Sequence, residues 1–269
     1  MRRVLFISGA GLSVESGIRA FRTDTATGKA MWDEYNIEEV CDIHAFRGNF
    51  YHKIHMFYNK RRQELASVEP NLAHLRIAEW YKRYPLGKVV NLTTNVDDLL
   101  ERAGIPRDKV LHIHGFLREI VTLDTQRNHH ITDIGYTAID PEDFEWVKPN
   151  VIFFGEAAPA YKDMYEIFDD ITSEDMIIIV GASNQVINFY WDLFPVLNRT
   201  GAKLMVVNYH DSTKAGEVDY AGMTRSDMYQ LEERGIPYWY KGAVDAFSDP
   251  EFIERVEAHL EGRPYIANK

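Results

Sequence analysis

FISGAGLSVESGIRAFR, residues 6–22, decides how this chain is read. A short apolar run, Val4-Leu5-Phe6-Ile7, leads into Gly9-Ala10-Gly11. A strand followed by Gly-x-Gly opens many dinucleotide-binding loops, but the Rossmann fingerprint wants a third glycine or alanine three residues after the second. Position 14 is valine, and the next glycine is Gly17. Gly9 and Gly11 allow a tight turn and a close approach to a ligand. Ser13 and Ser16 offer hydroxyls to a helix start, whose free N–H groups favour phosphate, and Arg22 offers an ion partner. The same spacing also serves a plain strand-to-helix turn, so the loop alone leaves both readings open.

Working outward, short apolar runs rich in β-branched residues recur at 4–7, 89–92, 110–113, 151–154, 176–180 and 204–207. Segments with helical spacing lie between most of them. The alternation predicts an α/β fold: a doubly wound, Rossmann-like parallel sheet with its ligand crevice along the strand C-termini. Two regions break the pattern. Residues 24–85 carry no strand signal and predict helices over 46–65 and 71–84. Residues 116–149 are polar and predict a small inserted module, held together by Phe116, Leu117, Ile120, Val121, Leu123, Ile131, Ile134 and Tyr136. The expectation is one domain, with a core of about 1–24, 86–115 and 150–269 and a small module of about 25–85 and 116–149. A last helix is predicted over 250–260.

Composition narrows the function. Of the 269 residues, 41 are acidic and 30 basic, a formal charge of −11. Such a surface repels phosphate backbones and anionic lipid, so neither direct nucleic-acid binding nor a membrane partner is expected. It steers cationic protein segments instead. Hydrophobic residues make up 45%, enough for a sizeable core. The single cysteine, Cys41, excludes a disulfide within the chain and fits a reducing, cytoplasmic setting. The apolar run after Met1-Arg2-Arg3 is too short for a signal peptide, and no run approaches the ~20 residues of a membrane span.

Other polar strand ends could join the first loop. Thr94-Asn95-Val96-Asp97 follows one run and places two hydrogen-bonding side chains at the crevice edge; it also reads as an Asx turn capping a helix over 97–103. His112-Ile113-His114-Gly115 ends another. A histidine there can act as general base near neutral pH, as a structural side chain, or as a metal ligand. Phe154-Gly155-Glu156, Gly181-Ala182-Ser183 and Val206-Val207-Asn208 follow further runs.

Taken in order, these segments resemble the sirtuin family. Gly9-Ala10-Gly11-Leu12-Ser13, Ser16-Gly17-Ile18 and Phe21-Arg22 are similar to its first NAD loop, Thr94-Asn95-Val96-Asp97 to its second motif, and His114-Gly115 to its catalytic histidine motif. Phe154-Gly155-Glu156 resembles the clamp on the acyl-lysine peptide. Gly181-Ala182-Ser183, Asn208 and Ala243 resemble contacts to the adenosine side. The motifs stand in family order from residue 4 to about 245.

The resemblance implies NAD-dependent removal of acyl groups from protein lysine, with nicotinamide and O-acyl-ADP-ribose as products. In similar enzymes the acyl oxygen attacks the anomeric carbon of the nicotinamide ribose and an imidate forms. His114 would be the base on a ribose hydroxyl, and Asn95 and Asp97 would hold ribose and carboxamide. Three positions depart from the family pattern. Thr94 replaces the usual glutamine, Ala182 the usual threonine, and the four zinc cysteines are absent, so no zinc is expected. Residues 116–149 offer only His129 and His130 as nitrogen ligands, short of the four donors a structural site needs. Tyr58 and Arg61, three apart on the predicted helix 46–65, resemble the pair that binds the carboxylate of succinyl- or malonyl-lysine. Cys41 stands where a small residue borders that pocket. Arg61 also reads as part of a solvated Lys-Arg-Arg run. Two other activities compete: an NAD hydrolase or ADP-ribosyltransferase, and a non-catalytic NAD or ADP-ribose sensor. Phe154-Gly155-Glu156 counts against the first, and His114, Asn95 and Asp97 against the second.

Overall fold

All five residues of the first strand, β1 (Val4–Ser8), are buried, because helices cover both faces of its sheet. A computed structural model describes residues 1–18, 36–182, 184, 186–208 and 225–265. The strands that follow are β2 (Val89–Thr93), β3 (Val110–His112), β4 (Gly115–Leu123), β5 (His129–Asp133), β6 (Val147–Val151), β7 (Met176–Val180), β8 (Lys203–Val207) and β9 (Tyr238–Trp239). The helices are α1 (Ala10–Ser13), α2 (Ile37–Val40), α3 (Ile43–Arg47), α4 (Tyr51–Ala66), α5 (Leu72–Arg83), α6 (Leu99–Ala103), α7 (Ala160–Asp169), α8 (Phe194–Thr200), α9 (Arg225–Glu233), α10 (Ala243–Ser248) and α11 (Pro250–Glu261).

Among the described residues, six strands form a parallel sheet in the order β3-β2-β1-β7-β8-β9. The chain moves outward from β1 to β3, then returns to place β7 on the other side of β1. Between β1 and β7 the direction of winding reverses, which opens a crevice at the strand C-termini. Successive side chains of a strand point to opposite faces, and β1 shows it. Val4 and Phe6 pack with α5, α10 and α11, where Phe6 stacks on Trp80 at 5.9 Å. Leu5 and Ile7 pack on the other face with α7, α8 and α9. The doubly wound sheet expected from the sequence is therefore present.

Four details differ from expectation. The run 151–154 is not a strand of the parallel sheet. Its start closes β6, which lies antiparallel to β4 in a separate three-stranded sheet ordered β5-β4-β6. Val151 and Phe153 enter a third apolar core with α2, α3 and α4, while the Phe154 N–H donates to the Cys41 carbonyl at 2.7 Å. The sixth parallel strand is β9, two residues long and too short to be seen by periodicity. The helix expected over 46–65 is divided between α3, capped by the Asp42 carboxylate, and α4, with a turn at residues 48–50. Finally, the small sheet is only partly filled by the residues proposed for it. Phe116, Leu117 and Ile120 are buried, but Ile131 is 62% exposed, and Val121, Leu123, Ile134 and Tyr136 are partly exposed. The strand β5 is exposed along its whole length, as an edge strand beyond the reach of the cores.

Candidate active site

The crevice is built by glycines that interlock. Parallel register ends β1, β2 and β7 together, with Ser8 opposite both Thr93 and Val180. Beyond them the Gly9 N–H donates to the Val180 carbonyl at 3.0 Å and the Gly11 N–H to the Gly181 carbonyl at 2.9 Å. A Cβ on Gly181, whose φ is +59°, would lie 2.4 Å from the Gly11 Cα; one on Gly9 would lie 2.6 Å from the Ala182 Cα. The glycines therefore let two loops touch backbone to backbone at the switch point. Ala182 is buried in this contact, and the Asn208 amide donates to its carbonyl at 2.9 Å. Ala10 opens α1 within the same loop. Gly17 takes a left-handed turn at φ +96°, and Ile18 packs toward the third core. The Ser16 hydroxyl is buried with no protein partner among the described residues. Ala243 begins α10 at the end of β9, fastened to the loop by Glu15, whose carboxylate accepts the Val244 N–H at 2.8 Å. Phe21, Arg22 and Ser183 lie outside the described residues.

A buried polar cluster sits beneath the loop. The Asn71 N–H donates to Nδ1 of His74 at 3.3 Å, which leaves the His74 proton on Nε2, facing Ser13 Oγ at 3.4 Å. The Ser13 hydroxyl donates to Asp97 at 2.8 Å. The Asn95 amide donates to Ser13 Oγ at 3.1 Å and to the Gly9 carbonyl at 3.0 Å. Burial holds His74 neutral, with its pKa pushed down to about 3, and raises that of the Asp97 carboxyl. Asp97 also accepts the Leu99 N–H at 3.1 Å, so it satisfies the first N–H of α6 and is part of the site at once. His74 was not singled out in the sequence. Its signal was the helix start Asn71-Leu72-Ala73-His74, which forms a capping box.

The two histidines of His112-Ile113-His114 have different surroundings. His112, 7% exposed, is clamped between the Asn95 carbonyl at 2.7 Å and Glu101 at 2.8 Å. It fixes the loop that carries Asn95. His114 lies past the end of β3, where its Nδ1–H donates to the Thr94 carbonyl at 3.2 Å. That bond leaves the lone pair on Nε2, which accepts from the Tyr161 hydroxyl at 3.2 Å. Burial lowers the His114 pKa, so the ring is neutral at pH 7. Gly115 follows at φ +89°, where a Cβ would strike the Asn150 carbonyl at 2.1 Å. Thr94 turns its own hydroxyl back to the Ser8 carbonyl at 3.4 Å.

Beside the crevice, Phe154-Gly155-Glu156 bridges to α3. The Ile43 N–H donates to the Phe154 carbonyl at 3.0 Å, and the Phe154 ring is 54% exposed. Gly155 turns at φ +83° against Ile43. Glu156 is tied inward, accepting the Phe153 N–H at 2.7 Å and pairing with buried Lys148 at 3.0 Å. On α4, Tyr58 is buried against Phe153, and its hydroxyl lies 3.7 Å from the Cys41 thiol. Arg61 is 9% exposed and pairs with Glu64 at 2.7 Å, while Arg62 is fully buried. The Lys-Arg-Arg run is thus not a solvated face.

Among the described residues no group of three or more His, Cys, Asp or Glu side chains could hold a metal, and no helix is long and apolar enough to cross a membrane. A glycine-lined switch point, a neutral histidine with a directed lone pair, and the unpartnered Ser16 hydroxyl fit a nucleotide-bearing substrate. Known proteins point the same way. The chain is 38% identical over 208 residues to an NAD-dependent protein deacylase of Helicobacter hepaticus, covering 70% of this chain and 77% of the relative. It is 37% identical to the protein of that name from Campylobacter jejuni, covering 70% and 76%. A solved complex of a Sir2 homologue with ADP-ribose superposes with a TM-score of 0.70 at 25% identity, covering 97% of this chain and 94% of the other. Residues 9–188, which hold the first loop, the buried cluster, His114 and Gly181, match the Sir2 family, and the chain belongs to that family.

Proposed function

We propose that this chain is an NAD-dependent protein-lysine deacylase releasing nicotinamide and O-acyl-ADP-ribose. The observation that carries the reading is His114: neutral, its Nδ1–H committed to the Thr94 carbonyl and its Nε2 lone pair met by the Tyr161 hydroxyl. NAD supplies the anomeric carbon that the acyl oxygen attacks as nicotinamide leaves. His114 takes the proton of a ribose hydroxyl at Nε2. Asn95 and Asp97, held by Ser13, orient the ribose and the nicotinamide carboxamide, and Gly9, Ala10, Gly11, Gly17, Ile18 and Thr94 complete that side of the pocket; Phe21 and Arg22 are assigned to it by the motif alone. Gly181, Ala182, Asn208 and Ala243 face the adenosine in this reading, and Ser183 is assigned there by the motif alone. The main contribution is holding reactants in a reactive pose. Phe154 and Gly155 receive the acyl-lysine peptide, and Glu156 fixes their loop through Lys148.

The experiment is nicotinamide release with and without an acetyl-lysine peptide. Release that requires peptide supports the deacylase. Equal release without peptide would make the chain an NAD hydrolase, and no release in either case would make it a sensor.

The acyl preference follows from α4. Tyr58 and Arg61, with Cys41 beside the phenol, suit the carboxylate of succinyl- or malonyl-lysine, because a guanidinium offers a fork of donors. Arg61 must then exchange Glu64 for the substrate. Arg61→Met is expected to lower kcat/KM for succinyl-lysine peptide about 10-fold or more and to leave acetyl-lysine within about twofold. An equal fall on both peptides removes the claim. The protein works without structural zinc in this reading, since its only cysteine is buried against Tyr58. One zinc per chain by elemental analysis would overturn that.

A further inference from the structure

Tyr161 lies outside every motif discussed above, yet its hydroxyl reaches the nitrogen on which the reaction depends. It sits in the first turn of α7, with its ring 6.1 Å from that of His114 and tilted by 33°. The His114 proton is committed to the Thr94 carbonyl, so at Nε2 the imidazole only accepts, and the Tyr161 O–H is the donor at 3.2 Å. Burial, then the charge of Asp192, raises the phenol pKa, so it keeps its proton at neutral pH. The ring packs against the core beneath α7, which holds the hydroxyl in place. A hydroxyl donating to Nε2 at this distance occupies the position and plays the hydrogen-bonding part of the ribose hydroxyl that the base must engage.

We propose that Tyr161 is a positioning residue whose hydroxyl stands in for the ribose hydroxyl in the free enzyme, keeps the Nε2 lone pair directed at the crevice, and is displaced when NAD binds. The inference rests on the reading of His114 as the base. It has a consequence opposite to that of an ordinary contact residue. Because NAD must break the phenol's bond, removing the hydroxyl strengthens cofactor binding.

The test is ADP-ribose binding by calorimetry to the wild type, Tyr161→Phe, His114→Ala and the double variant, with kcat and KM for NAD measured on the first two. Tyr161→Phe keeps the ring and its packing. It is expected to tighten ADP-ribose and lower KM for NAD by about 2- to 10-fold, the worth of one exchanged hydrogen bond, with a smaller change in kcat. In the His114→Ala background the same substitution should change affinity by less than about 1.5-fold, since the bond it removes is already gone. In wild type the 15N resonance of His114 Nε2 should resemble that of Tyr161→Phe less in the free state than after ADP-ribose is added. Unchanged or weaker binding by Tyr161→Phe, or equal tightening in both backgrounds, overturns the proposal. If His114→Ala deacylates at the wild-type rate, the base assignment itself fails and this inference with it; an inactive His114→Ala beside a null Tyr161→Phe defeats this inference alone.

Discussion

The two sheets solve different problems. The six-stranded sheet is covered on both faces, and its strands are buried nearly end to end. At its switch point, glycine backbones touch and a cluster of Ser13, His74, Asn95 and Asp97 has its donors and acceptors matched in burial. The three-stranded sheet has an edge strand, β5, that is exposed throughout. Its polar groups pair near the surface, as in Arg118 with Asp133 and His130 with Asp124. Buried polar networks cost heavily when one member is lost, whereas exposed pairs contribute little. Rigidity is thus concentrated at the crevice, and the small sheet serves as outer framework.

Four measurements would break or sharpen this contrast. The largest effect is expected for His114→Ala: deacylation should fall ~10²- to 10⁴-fold, the range for a positioned base, with ADP-ribose binding retained. His112→Ala is its control, because His112 braces the Asn95 loop; it should lower thermal stability and cost less activity. If the two effects are reversed, the register of the assignment is wrong.

Gly181→Ala comes next. Its Cβ would meet backbone at 2.4 Å in a left-handed conformation, so a loss of roughly 3 kcal/mol is expected by urea unfolding. A loss under about 1 kcal/mol would mean that the loops separate easily and the switch point is not rigid. The third effect is acid sensitivity. His74 and His55 are kept neutral by burial, with pKa values down to about 3 and about 4. Their folded values lie below the unfolded ~6.5, so below that pH the unfolded chain takes protons that the folded one refuses. Stability should therefore fall as pH drops, by roughly 2 kcal/mol between pH 7.5 and 5.5. A flat profile would show these histidines to be solvated. The smallest effect is expected for Ile131→Thr on β5, within ~0.5 kcal/mol, as for other exposed positions. A larger loss would give the small sheet a core it does not show.

By itself the sequence determined the doubly wound sheet, the helix α5 starting near Asn71, and the family motifs along the strand C-termini. These depend on local periodicity and on residue types whose chemistry is visible one at a time. It misplaced residues 151–154, because an apolar run shows that a segment is buried but not which sheet receives it. It gave β5 a core role that edge exposure denies, and it missed β9, which is shorter than any period. Only the tertiary structure decided that Gly9 and Gly181 face each other rather than open space, since residues 172 apart meet through two parallel strands. The family motif singled out His114 over His112, but only the tertiary structure gave the physical difference, a carboxylate on one ring and a phenol on the other. A side chain's role is set by its neighbours in space, and those neighbours come from segments whose sequences carry no mark of the pairing.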